Sequence, residues 1–262
     1  MRVNYVCSKW GTKYGPHFVN RLKNMAFRNT SSEFEAHFYC YTDNAEGLDA
    51  DINVIDFPDI PNIHPKYWFG AEDFKYGMAR CWDRPKTFVF NTHNFAHDKP
   101  TGRFVFFDLD VIIQRDLTPI ITYNLERPTK MKSWWQDPRP MNTRRFKLSH
   151  GAYTNGSCQV WSDDQCEPIW NDVLENQEKI WFTFTDGTDN YHSWRWGRYG
   201  ADLWDHFPSW MAYSYNRGRS WDEDDLNVGI YRDNCIVCVF HKSIYCIFCE
   251  IKVYIFYRTL SF

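Results

Sequence analysis

The run "FVFFDLDVII", residues 104–113, constrains this chain more than any other, because two carboxylates, Asp108 and Asp110, interrupt its most hydrophobic stretch. Aliphatic and aromatic residues at that density read as a strand, and charges left idle among them are expensive to desolvate. Side chains two residues apart on an extended segment point to the same side, so the two acids can converge on one point. Two bare carboxylates held close repel, and one takes up a proton unless a cation lies between them. A hard divalent ion, Mg2+ or Mn2+, meets that need with oxygen ligands and keeps positions open for phosphate oxygens. The plain alternative is that both acids cap the strand and begin a turn, where Asp is common.

Neighbouring segments set this strand in an α/β chain. Residues 2–7 read as a buried strand and 8–15 as a Gly-bounded loop. Pro16 suits a first helical turn, and Phe18, Leu22 and Met25 recur at helical spacing on one face. "HFYCYTD" (37–43) and "INVIDF" (52–57) are short β-rich runs bounded by turn residues, giving a β-α-β-β opening. "AEDFKYGMARCW" (71–82) is helix-like, and a wet loop rich in Asn, His and Asp leads on to the strand with the two acids. Strands alternating with helical patterns predict a Rossmann-type α/β fold, a mixed, mostly parallel sheet with helices on both faces. Ligands collect at the carboxyl ends of strands in such sheets, which is where Asp108 and Asp110 fall.

The chain of 262 residues can bury a substantial core in one or two domains. Its 30 basic and 33 acidic residues leave a formal charge of -3, with no general pull toward nucleic acid or anionic membrane, so phosphate recognition must be local. Aromatic residues make up 19% of the chain while mean hydropathy is negative, which puts rings in clefts as well as in the core. "MRVNYVCSKW" reads as a first strand rather than a secretory signal. Lys242, Glu250, Lys252 and Arg258 interrupt the apolar tail, so no uncharged run is long enough to span a bilayer. Nine cysteines, an odd count in strand-like segments, point to buried reduced thiols and to a cytoplasmic chain, or one peripheral to a membrane.

An apolar strand ending in D-x-D resembles two families: the nucleotide-sugar glycosyltransferases with the GT-A fold, and the haloacid-dehalogenase-like phosphatases. In the phosphatases the strand usually opens the domain and Gly follows the second Asp; here a long segment precedes it and Val111 takes that place. "VIIQRDLTPI" (111–120), with Leu117 and Pro119, is similar to the short strand and L-x-P element that follow the glycosyltransferase motif. "VCSKWGTKYGPHFVNRL" (6–22) resembles the first strand and loop of family 8 and related transferases, with Ser8, Lys9, Tyr14 and Gly15 at the nucleoside-holding positions. A helix N-terminus with free N–H groups and a Tyr for stacking suits a nucleotide on physical grounds, although any βα turn carries Gly and Tyr. "FYCYTDN" (38–44) resembles the second strand, with Asp43 placed for base or ribose, or for a plain turn.

"TNGSCQVWSDDQCEPIWNDV" (154–173) resembles the family's sugar-lining strand and its helix, which implies that Asn155 and Ser157 face sugar hydroxyls; an Asn-Gly turn before a strand is the bland alternative. "DGTDNYHSWRWGRYG" (186–200) and "FPSWMAYSYNR" (207–217) look like its acidic site and its Pro-Trp-Ser-Tyr element, with Asp189 as the catalytic match and Asp202 as the second candidate. "NCIVCVFH" (234–241) is similar to the strand whose His completes the metal site, which implies His241 as third ligand beside Asp108 and Asp110. The family continues with Gly and a Lys-Pro stretch; "HKSIYCIFCEIKVYIFYRTLSF" has neither, so residues 1–241 read as one transferase domain and 242–262 as a divergent tail. Cys235, Cys238, Cys246 and Cys249 form two C-x2-C pairs, which their apolar setting marks as buried strand thiols rather than zinc ligands. The acids at 222–225 read as a solvated loop.

The resemblance thus implies a metal-dependent glycosyltransferase. Asp108 and Asp110 would hold Mn2+ (or Mg2+) against the diphosphate of a sugar nucleotide, a UDP-sugar first of all, and Lys75, Arg80 or Lys86 would add positive charge. The same residues fit an inactive sugar-nucleotide or glycan-binding domain, or a D-x-D phosphatase. Stereochemistry and acceptor (glycan, lipid, protein or small molecule) stay open; with inversion Asp189 would deprotonate the acceptor, and with retention it would position sugars.

Overall fold

The computed structural model describes residues 1–57, 83–91, 100–132, 153–184, 187–197, 200–208, 210–214 and 235–239. The chain opens with β1 (Arg2–Lys9), α1 (Pro16–Arg28), β2 (Glu35–Thr42) and β3 (Asn53–Asp56), the expected β-α-β-β order. A 3-10 helix (Arg84–Phe90) follows, then β4 (Arg103–Phe107), β5 (Val111–Ile113), α2 (Thr118–Thr122) and β6 (Thr129–Lys132). The last elements are β7 (Thr154–Ser162), α3 (Glu167–Thr183), α4 (Thr188–Arg195), β8 (Asp205–His206), β9 (Ala212–Ser214) and β10 (Val237–Val239). The helix expected over 71–82 and the tail 242–262 lie outside the described residues.

Seven strands form one sheet in the order β3-β2-β1-β4-β7-β6-β8. Pairing is parallel from β3 to β4 and between β6 and β8, and antiparallel on either side of β7, so the sheet is mixed and mostly parallel. A second sheet, β5-β10-β9, takes the chain leaving the D-x-D segment and pairs it with the start of the 234–241 run.

Strand alternation builds a core on each face of the large sheet. Val3, Tyr5 and Cys7 of β1, with Val105 and Phe107 of β4, pack under Val19, Leu22, Met25 and Ala26 of α1 and Ile120 and Ile121 of α2. Val6, Phe104 and Phe106 point the other way, onto Phe88 and Phe90 of the 3-10 helix, Ile169, Trp170 and Val173 of α3, and Tyr191 of α4. Phe104 stacks on fully buried Trp161, rings 5.4 Å apart and 4° from parallel. Helices therefore cover both faces, and β4, buried along its whole length, lies in the middle. None of the described helices is long and apolar enough to cross a membrane. Cys7, Cys40, Cys158, Cys166 and Cys235 are buried free thiols, as their setting predicts.

Two local expectations change. Ser8 and Lys9 belong to β1 rather than to the loop, because their backbone continues the parallel register opposite Tyr41 and Thr42. Asn155 and Gly156 lie within β7 rather than in a turn before it, across from β6 where the register shifts between Lys130 and Met131.

Arg103 anchors the base of β4. Its fully buried guanidinium donates to the carbonyls of Ile121 and Tyr123 at the end of α2 and to Ser162 Oγ of β7. Arg103→Met leaves the buried Ile121 carbonyl and the half-buried Tyr123 carbonyl without their donor, so it is expected to cost about 2–5 kcal/mol in urea unfolding.

Candidate active site

Four strand ends meet at the carboxyl edge of the sheet. Val6 is level with Phe106, so Ser8 and Asp108 leave neighbouring strands at the same height, and Lys9 stands beside Thr42, one residue before Asp43. On the other side the Asp108 N–H donates to the Ser157 carbonyl of β7 at 3.0 Å.

The two acids of the D-x-D segment occupy a turn rather than the extended strand expected of them. Asp108 follows β4, and its carbonyl accepts the Val111 N–H at 3.3 Å, closing the turn before β5. Turn closure, not strand pleating, therefore brings the carboxylates together. Lys86 reaches Asp108 from the 3-10 helix and contacts both carboxylate oxygens, at 2.7 and 2.8 Å. Ser157 Oγ donates to Asp108 at 2.8 Å, and Tyr14 Oη donates to Asp110 at 3.1 Å from the loop before α1.

Asp189 sits in the first turn of α4. Its carboxylate accepts the Gly156 N–H at 2.7 Å and Asn155 Nδ2 at 3.2 Å. Asn155 is aimed by its own Oδ1, which accepts the Ser157 N–H at 3.0 Å. A Cβ on Gly156 would stand 3.0 Å from Asp189 Oδ1, so any larger residue here presses the carboxylate away from its present position. Asp83, just ahead of the 3-10 helix, accepts the backbone N–H and hydroxyl of Thr188, capping α4 from outside.

Burial and like charge act together on these groups. Burial first, then the Asp108 charge, push Asp110 up to about 6, against the pull of Lys86, Tyr14 and Lys13. Asp189 is likewise pushed up to about 6 by burial, opposed by Lys130 and Lys86 and reinforced by Asp83 and Asp108. Burial would strip the Lys86 ammonium of its proton, but Asp108, Asp83 and Asp189 together hold its pKa above the usual range. Lys86, Asp108, Asp110 and Asp189 all keep part of their surface in solvent, so the cluster opens outward.

Of the other expected residues, Lys9 donates to the Asn44 carbonyl at 3.1 Å, and Asp43 accepts the Gly11 N–H at 2.9 Å, which folds the loop between β1 and α1 over the strand ends. Ser8 is buried beside them. Asp202 is exposed and paired with Arg127 at 3.6 Å, on the turn after α4 rather than with the cluster. Lys75, Arg80, His241 and the acids at 222–225 lie outside the described residues. Among the described residues no group of three or more His, Cys, Asp or Glu could hold a metal ion, so Asp108 and Asp110 stand as a pair. Sequence reasoning passed over Asp83, whose place ahead of Arg84-Pro85 marks a helix start, and Lys130, which no local signal distinguishes from a surface lysine.

The architecture is that of GT-A-like glycosyltransferases, with β4, the strand that leads into the two acids, central in the sheet and fourth in the chain. Two structures of LgtC, an active-site mutant and the galactosyltransferase in complex with donor and acceptor sugar analogues, are similar at 13% and 14% identity with TM-scores of 0.57 and 0.54. They cover 98% and 97% of this chain and 96% and 94% of their own. The bifunctional glycosyltransferase WbbM is 12% identical, with a TM-score of 0.55, over 92% of this chain and 46% of WbbM. No family model and no curated protein matches the chain by sequence.

Asp110 supplies a stability prediction. Folded, it holds its proton more tightly than the ordinary value of 3.8, so without divalent cations the fold loses stability as pH rises from about 4 to about 6. Asp110→Asn removes that penalty. Metal-free urea unfolding is expected to show a gain of about 1–2 kcal/mol at pH 7, allowing for partial exposure, and none at pH 4.

Proposed function

We propose that the chain transfers a sugar from a nucleotide-sugar donor, a UDP-sugar first of all, to an acceptor hydroxyl. The observation that carries this is the gathering of Asp108, Asp110, Lys86 and Asp189, with Asn155, Gly156 and Ser157, at the carboxyl edge of a GT-A-like sheet. Within that cluster Asp110 resists ionisation, which is the condition a hard cation relieves. Asp108 and Asp110 offer oxygen donors suited to Mn2+ or Mg2+, with His241 as the proposed third ligand. When bound, such an ion supplies charge neutralisation at the nucleotide diphosphate.

The chain's own residues do the rest. Lys86 and Ser157 fix the Asp108 carboxylate, and Tyr14 fixes that of Asp110, so both are oriented before a donor arrives. The loop between β1 and α1, tied to Asp43 through the Gly11 N–H, receives the nucleoside beside Ser8 and Lys9 at the end of β1. Asn155 and Gly156 hold the Asp189 carboxylate where sugar hydroxyls would meet it; it positions the sugar in a retaining enzyme or deprotonates the acceptor in an inverting one.

The deciding assay is release of nucleoside diphosphate from a panel of sugar nucleotides, with and without Mn2+. Metal-dependent release is expected from the native chain, falling by about 100-fold or more in Asp110→Ala. Turnover that needs no metal, or that survives this substitution, contradicts the proposal. Tight UDP binding without turnover assigns a binding domain, and hydrolysis of phosphomonoesters assigns a phosphatase. Gly156→Ala, which displaces the Asp189 carboxylate, is expected to keep the fold and lower release by about tenfold or more.

A further inference from the structure

Behind Asp189 lies a charge that the transfer chemistry above does not use. Lys130 of β6 is fully buried. Its ammonium group lies 4.3 Å from the centre of the Trp204 ring and donates to Nδ1 of His192, one turn after Asp189 on α4. Opposite Lys130 in the sheet is Gln159, whose Nε2 donates at 2.8 Å to the carbonyl of Gly156, the residue whose N–H holds Asp189. One continuous set of contacts therefore runs from the lysine, on both sides, to the two ends of the Asp189 carboxylate's support.

We propose that Lys130 is a positioning residue for Asp189: its buried ammonium group, lodged against α4, keeps the Asp189 carboxylate ionised and directed at the sugar. A buried cation whose contacts among the described residues are an aromatic face and a neutral imidazole needs a carboxylate nearby to remain charged. Burial, then the charges of Lys130 and Lys86, keep His192 neutral, so it accepts from the lysine and brings no compensating charge. Burial pushes the Cys166 thiol up, so it too stays neutral. Asp189 is the largest of the influences that favour the charged amine, with Asp108 smaller and Lys86 opposed; burial, the dominant influence, pushes the amine down to about 7. In return Lys130 is the strongest influence lowering the proton affinity of Asp189, ahead of Lys86 and against Asp83 and Asp108. The charge on each group thus favours the charged form of the other.

The role of Asp189 in transfer rests on the function proposed above, but the coupling is measurable without turnover, so a chain that transfers no sugar still answers the question. In protein labelled with 13C at the aspartate carboxyl, with the Asp189 signal assigned by its loss in Asp189→Asn, the native midpoint is expected near 6. Lys130→Met is expected to raise that midpoint by about one pH unit or more. A folded Lys130→Met chain whose Asp189 midpoint does not move overturns the proposal, because a packing role alone would leave the titration unchanged. If Lys130→Met does not fold, the same coupling is read from the other side, since linkage is reciprocal. Asp189→Asn is then expected to lower the Lys130 amine midpoint, followed with 13Cε-labelled lysine, by the same amount, and an unmoved amine overturns the proposal.

Discussion

The ion pair between Lys86 and Asp108 is the contact on which the rest of the site depends. It joins the 3-10 helix to the end of β4, while the hydroxyl of Ser157 ties the same carboxylate to β7. The 3-10 helix is carried to that point by apolar packing: Phe88 lies 5.5 Å from Trp170, and Phe90 lies 5.2 Å from Trp161, ring centre to ring centre. Core packing on one face of the sheet thereby sets the position of a cation at its edge. Asp83, at the start of the same helix, extends the arrangement by capping α4 and so placing Asp189.

Collecting acids in this way works against stability. Asp110 and Asp189 both ionise less readily than free carboxyls, each opposed by burial and by neighbouring acids. Lys86 and Lys130 answer that strain from opposite sides, Lys86 at the mouth of the site and Lys130 beneath α4. Such tension is ordinary where ligands bind, since a ligand or ion of opposite charge then finds partners whose repulsion it relieves. A site that held its acids fully neutralised would have less to gain from a bound cation.

Much of this was legible in the chain. Apolar runs bounded by Gly, Pro, Asn and Asp marked β1, α1, β2 and β3, and two acids in the most apolar run marked the end of β4. The 3-10 helix was not legible, because "RPKTFVF" has neither helical periodicity nor the length of a helix, and its shape follows from the rings it packs against. The turn at Asp108 was hidden for a related reason: Val111 begins a strand of a different sheet, a long-range fact that local residues do not carry. Lys130 reads as a surface residue in "TKMK", and only the meeting of β6 with α4 and Trp204 buries it.

The central claim is that the carboxyl edge of the sheet receives a sugar nucleotide, and a crystal structure of the chain with UDP-sugar and Mn2+ tests it most directly. The account predicts the diphosphate and ion at Asp108 and Asp110, with the sugar against Asn155 and Asp189. A nucleotide seated elsewhere, or Asp108 still closed on Lys86 with no ion beside it at saturating donor, would contradict it.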